Sequence, residues 1–267
     1  MSDNKLRPVS QEAVDEIEYM QRRCVVTSYR VISSLEDGMS ELQVANMFAE
    51  ELAKEGITDY WYKFPLGVER IVLFGEKRFQ DMVSEKYEEK TPRENVKLKP
   101  RDLVYFAILP RSQSGYWGSF SASGIYKPEH ADQARVTFIE TIQGIQKEVI
   151  KQLSPAMTGK EVYAMFMSLY EKEGISVVDV RGNFGLRMLH GEKTKTIWQD
   201  VPYPFLDEKN ELPIVGQIFG IEPGGKRDML CGRLQDCIYI PPAEGPARIL
   251  GRDIHHPFPA VFPVKGS

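Results

Sequence analysis

Residues 31–57 read VISSLEDGMSELQVANMFAEELAKEGI, and residues 149–175 read VIKQLSPAMTGKEVYAMFMSLYEKEGI. The two stretches align without gaps at an offset of 118, with 11 of 27 positions identical. The identities run from Val31 and Ile32 (Val149 and Ile150), through Val44, Met47 and Phe48 (Val162, Met165 and Phe166), to the closing Lys-Glu-Gly-Ile. Each copy reads as the end of a long helix, a turn, and a second helix. Ser40 or Thr158 caps that second helix and Gly56 or Gly174 stops it. Capped amphipathic helices share composition, but that grammar alone does not give eleven identities. The pattern predicts a duplicated unit. An offset of 118 is far too long for a solenoid, so the expected architecture is one domain built from two similar halves, with a cleft where they meet.

Working outward, the spacing predicts helices over residues 11–34 (capped by Ser10), 40–55, 129–153 and 160–173. Strands are expected over 69–75, 103–109, 115–122, 176–180, 214–221 and 237–240. Residues 84–99 are dense in charge and read as an exposed loop. Helices and strands come in mixed blocks, an α+β arrangement. The whole chain reads as a single domain, with residues 1–9 and 252–267 as tails.

Composition sets outer limits. With 42% hydrophobic and 27% charged residues over 267 positions, the chain reads as a globular protein. A net charge of −4, with acidic and basic residues interspersed, argues against a nucleic-acid binder. No run approaches the roughly 18–20 apolar residues of a membrane span, and the polar N-terminus lacks a signal-peptide core. Cys24, Cys231 and Cys237 stand at no metal-ligand spacing and read as buried, reduced thiols, consistent with a cytoplasmic location.

Four short segments make the reading specific. Phe219-Gly220-Ile221-Glu222-Pro223-Gly224 resembles the Φ-x-I-E-P-G segment of the M24 peptidase/creatinase superfamily. Gly232-Arg233-Leu234-Gln235-Asp236 is similar to its G-x-R-x-E-D segment, and Gly115-Tyr116-Trp117-Gly118-Ser119 to its G-Y-x-x-D segment. The stretch from Gly182-Asn183 to His190-Gly191 resembles its G-H…H-E segment, with the seven-residue separation preserved. The order and intervals match over residues 10–250. The resemblance implies the pita-bread fold with its internal pseudo-twofold repeat, without an additional N-terminal lobe.

That family holds two divalent ions with two aspartates, a histidine and two glutamates, because a shared hydroxide nucleophile needs hard anionic oxygens around the ions. Carried over position by position, the first aspartate falls at Ala107 (or Ile108), the second at Ser119, and the histidine at Asn183. The two glutamates fall at Glu222 and Gln235. Four of five ligands are then neutral, so no metal and no other cofactor is expected. His255-His256 lies in a Pro-rich stretch and reads as exposed tail. What remains in the cleft is His190, at the place of the family's substrate-contacting histidine, and Glu222, with Arg233 and Asp236 nearby. Ser119, Asn183 and Gln235 would supply neutral hydrogen bonds. Tyr116 and Trp117 would line one side, although alternation turns only one of them inward. Burial would raise the Glu222 pKa unless Arg233 or His190 pairs with it.

Two functions follow from this set. One is a metal-independent enzyme on a small polar, amino-acid-derived substrate, with His190 and Glu222 in acid–base roles and Arg233 holding a carboxylate. Creatinase shows that the fold permits metal-free C–N cleavage. Its catalytic histidine corresponds to the region of Gly75-Glu76-Lys77, where this chain has none. The other is a non-catalytic pseudopeptidase that binds a peptide or protein. Expected partners are a small-molecule or short peptide-like substrate and a second copy in a homodimer, with no nucleic acid and no membrane.

Overall fold

The computed structural model describes residues 7–61, 70–82, 90–178, 182–188, 205–243, 245–253 and 255–262. These residues form five α-helices, three of them opened by side-chain caps. In α1 (Gln11–Ile32) the Ser10 hydroxyl accepts the amide of Ala13. Capping boxes start α2 (Glu41–Lys54) and α5 (Gly159–Lys172), Ser40 with Gln43 in one and Thr158 with Glu161 in the other. Both helices stop at a glycine with positive φ, Gly56 at 79° and Gly174 at 63°. The short α3 (Glu76–Met82) and the long α4 (Gln133–Gln152) complete the set.

The first half carries β1 (Asp59–Tyr60), β2 (Arg70–Phe74), β3 (Leu103–Ile108), β4 (Pro110–Arg111) and β5 (Phe120–Tyr126). The second carries β6 (Ser176–Val177), β7 (Gly185–Arg187), β8 (Ile218–Ile221), β9 (Gly224–Arg227), β10 (Leu230–Arg233) and β11 (Asp236–Tyr239). Two edge strands follow, β12 (Arg248–Ile249) and β13 (Val261–Phe262). The strand pairings repeat between the halves. β1 pairs β4 as β6 pairs β9, β2 pairs β3 as β7 pairs β8, and β3 pairs β5 as β8 pairs β11, all antiparallel. Even the bridge that precedes each capped helix recurs, Ser40 to Lys97 and Thr158 to Pro213. The duplication predicted from the helices therefore extends through the sheets, and the fold is the α+β pita-bread arrangement.

Each half packs its helix pair on its own sheet. Phe48, Leu52, Val72, Phe106, Phe120 and Tyr126 belong to one core cluster, and Phe138, Val162, Phe166, Phe219 and Ile238 to another. Along β5 the alternation is strict. Phe120, Ala122 and Tyr126 join the helix-side cluster, so Ser119, Ser121 and Ser123 fall on the opposite face, toward the second half.

Three expectations change. The strand expected over 115–122 begins only at Phe120 and runs to Tyr126, because Gly115 takes φ 92° in a turn closed by Gly115 N–H donating to the Ser112 carbonyl. The β9–β10 hairpin was not foreseen, since Gly-Gly-Lys-Arg lacks the hydrophobic alternation of a strand. Residues 252–262 are not a free tail: Arg252 is bonded to Asp236, Phe258 and Phe262 enter the core, and β13 pairs in parallel with β5. The N-terminal stretch is also docked, with Val9 N–H donating to the Gly216 carbonyl at 2.8 Å.

Candidate functional site

Neighbouring strand ends bring the candidate positions together. Glu222 directly follows β8, Gln235 directly precedes β11, and Asn183 lies two residues before β7. The register places Ile221 opposite both Asp236 and Gly185, so these three positions share one end of the second-half sheet. The first half is joined there by a two-bond bridge. Ser121 N–H donates to the Gln235 carbonyl at 3.1 Å, and Gln235 N–H to the Ser121 carbonyl at 2.9 Å. Ser119 immediately precedes β5, and Ala107 on β3 stands opposite Ser121. The five positions onto which the resemblance carries the family's ligands, with Ala107 taken for the first, thus converge where the two halves meet.

Their side chains are wired to one another and to the fold. Ser119 Oγ donates to Gln235 Oε1. The Ser119 carbonyl accepts from Gln21 Nε2 at 2.9 Å, and the same amide nitrogen reaches Cys237 Sγ at 2.9 Å. Asn183 Oδ1 accepts the Gly185 amide at 2.9 Å. Gly220 leaves room for this packing, since a Cβ there would stand 3.0 Å from both Gln235 Nε2 and Met188 Sδ. Glu222 forms an ion pair with Arg233, Oε2 to Nη2 at 2.7 Å. Ser123 Oγ holds both the N–H and the carbonyl of Arg233 at 2.9 Å. Exposure separates the two groups. Ala107, Ser119, Asn183 and Gln235 keep between 0% and 3%, whereas the side chains of Glu222 and Arg233 keep 14% and 13%.

A dinuclear metal centre does not fit this donor set. On the alignment that the resemblance implies, one hydroxyl, two carboxamides and a methyl group stand at four of the ligand positions, and the single carboxylate is bonded to a guanidinium. Among the described residues no group of three or more His, Cys, Asp or Glu side chains is placed to hold an ion.

The other candidates are distributed as follows. Trp117 is buried in an apolar cluster with Ile17, Met20, Met188 and Ile218, stacked on Trp61 at 4.8 Å between ring centroids. Tyr116 is half-buried at the edge of that cluster, its amide donating to Ser112 Oγ. Asp236 turns away from Glu222 and takes Arg252 in a two-pronged pair. His190 lies outside the described residues. Sequence reasoning missed Gln21 and Arg252. A signal existed for Gln21: it shares the apolar face of α1 with Ile17, Met20 and Cys24, and a lone amide there needs a partner. The three cysteines are free and buried. Burial pushes the Cys24 and Cys231 thiols up to about 12, and raises that of Cys237 as well.

The model of metallopeptidase family M24 matches residues 15–249. No curated protein matches the chain. Among solved structures, the chain is similar to dipeptidase PepE from Mycobacterium ulcerans, with 22% identity and a TM-score of 0.72 over 97% of this chain and 62% of that one. It is similar to an X-Pro aminopeptidase from Thermotoga maritima, with 13% identity and a TM-score of 0.72 over 96% and 64%. It is also similar to methionine aminopeptidase from Thermotoga maritima, with 16% identity and a TM-score of 0.71 over 93% of this chain and 100% of that one. The chain thus spans less than two thirds of the dipeptidase and the X-Pro aminopeptidase, and the whole length of the methionine aminopeptidase. At these identities the likeness establishes the fold. No helix among the described residues is long and apolar enough to cross a membrane.

Proposed function

The chain belongs to metallopeptidase family M24, and we propose that it is a metal-independent member acting on a small polar, amino-acid-derived substrate by C–N hydrolysis, elimination or isomerisation. The observation that carries this reading is the contrast in exposure: Ala107, Ser119, Asn183 and Gln235 are sealed, while the Glu222–Arg233 pair stays reachable. An ion pair at the mouth of a neutral floor suits a zwitterion. A substrate amine would replace the guanidinium at Glu222, and a substrate carboxylate would take both arms of Arg233. Ser119, Asn183 and Gln235 would form the neutral floor, with Tyr116 at its side; Trp117, expected there too, is instead packed in the apolar cluster on Trp61. His190 would transfer the proton, and where the substrate brings no amine Glu222 would orient His190 instead. Buried thiols and a modest negative charge support a cytoplasmic setting.

The test is a turnover screen of amino-acid amides and guanidino compounds by mass spectrometry, repeated with His190→Ala and Glu222→Gln. Each variant should lose on the order of 100-fold or more, the usual weight of a general acid–base group. Undiminished turnover by His190→Ala would remove the acid–base assignment.

One observation favours the second reading, a pseudopeptidase that binds a peptide or protein, with a second copy in a homodimer as a further expected partner. The Ser119–Gln235 hydrogen bond and the Gln21 anchor close the floor on itself, as a purely structural descendant requires. Saturable binding of the same compounds without any product would decide for it.

A further inference from the structure

A second concave surface lies away from the candidate site, on the outer face of α5. It is a groove of about 830 Å³. Its floor is apolar: Tyr163 and Met167 from α5, with Ile175 and Val177 from the chain that forms β6. Met167 is 37% exposed. In the order β10–β9–β6, β6 is the outer strand. Its charged lining is two carboxylates, Glu171 and Glu208, and one ammonium, Lys160. Neither carboxylate has an ion-pair partner within 4 Å among the described residues; Lys160 is bonded to Glu211 at 2.7 Å and lies close enough to Glu208 to feel its charge, which leaves Glu171 the less compensated of the two. Burial raises the Tyr163 phenol, and Glu208 and Asp207 raise it further, so the negative potential reaches the floor.

The duplication supplies a built-in comparison. At the offset of 118, Tyr163 corresponds to Ala45, Met167 to Ala49 and Glu171 to Ala53. Where one copy has three alanines, the other has two large adaptable apolar side chains and a carboxylate. Tyr163 also packs on Phe184 of the core, with ring centroids 5.5 Å apart, so Met167 and Glu171 are the two that the shared framework leaves unexplained, and thioether groups are common at adaptable binding surfaces.

We propose that this groove docks an extended segment of a partner protein in which lysine or arginine alternates with aliphatic residues. Aliphatic side chains cover Tyr163, Met167 and Val177, the basic ones meet Glu171 and Glu208, and the segment's backbone lies along the outer edge of β6. Charge complementarity selects this occupant: with two carboxylates against one ammonium in the lining, an acidic segment would be repelled and a neutral one would leave the excess negative charge unmatched.

The test uses a blocked, fluorescein-labelled peptide of alternating lysine and valine, titrated against the full chain by anisotropy, with the Met167 methyl resonance followed in parallel. The expected result is saturable binding that moves that resonance, and at least tenfold weaker affinity for Glu171→Lys/Glu208→Lys. The control Glu12→Lys/Glu50→Lys, with the same change in net charge, should bind like the parent. Equal weakening by both pairs, equal affinity for a glutamate–valine peptide, or no saturable binding would each overturn the proposal. A Met167 resonance that moves with protein concentration alone would overturn it in favour of a second copy of this chain.

Discussion

Glu222 and Arg233 form an ion pair with each other. In the family frame Glu222 faces a cation supplied from outside; here the cation is Arg233, 2.7 Å away. Removing one partner of a largely buried pair leaves an uncompensated charge, which costs far more than removing both. Arg233→Met should therefore destabilise the fold by about 3 kcal/mol in urea unfolding, the lower end for such pairs because these side chains keep some exposure. Adding Glu222→Gln should restore more than half of that loss; purely additive losses would show that the pair is not coupled. The thiols offer a separate check. Since burial holds Cys24, Cys231 and Cys237 protonated at pH 8, a thiol reagent should label none of them rapidly in the native protein and all three in urea. The Glu222–Arg233 pairing was one of the alternatives open in the sequence. The Asp236–Arg252 pair was not, because the partners are 16 positions apart and only the C-terminal return of the chain joins them.

At the scale of elements, legibility follows the source of the signal. Helices are set by local capping, so α2 and α5 emerge within a residue of their expected bounds; Thr158→Ala should cost α5 about 1 kcal/mol. Strands depend on partners, and the stretch around Gly115 and the hairpin of β9 and β10 escaped because their pairing is not written in alternation. Gly185 shows the same dependence. Its φ is 149°, and a Cβ there would stand 2.3 Å from the Gly220 carbonyl oxygen. Gly185→Ala should cost on the order of 3 kcal/mol or more and loosen the strand end that holds Asn183. The junction of β3 with α4 carries a pH-dependent contact. Arg101, against the opposing effect of burial, holds the Asp132 carboxyl down at about 2. Its folded pKa lies below the ordinary value of roughly 3.9, so its stabilisation is complete above about pH 4 and lost as pH falls toward 2. The urea midpoint should fall across that window, and Asp132→Asn should flatten the fall.

For the molecule as a whole, the duplication organises everything else. Two capped helix pairs rest on two sheets of the same pairing order, and the bridge between Ser121 and Gln235 seals the halves at the candidate site. The pita-bread architecture was legible from the repeat together with the Ile-Glu-Pro-Gly segment. The internal wiring of the site was not, because Gln21, Ser119 and Gln235 meet only through long-range packing. We propose that this wiring has taken over what the ions do elsewhere in the family. The most direct test is the metal content of the purified full chain, with its thermal midpoint measured with and without added manganese, cobalt or zinc. The account predicts no stoichiometric metal and no rise in midpoint. One or two equivalents of bound metal, lost in Glu222→Gln, would contradict it.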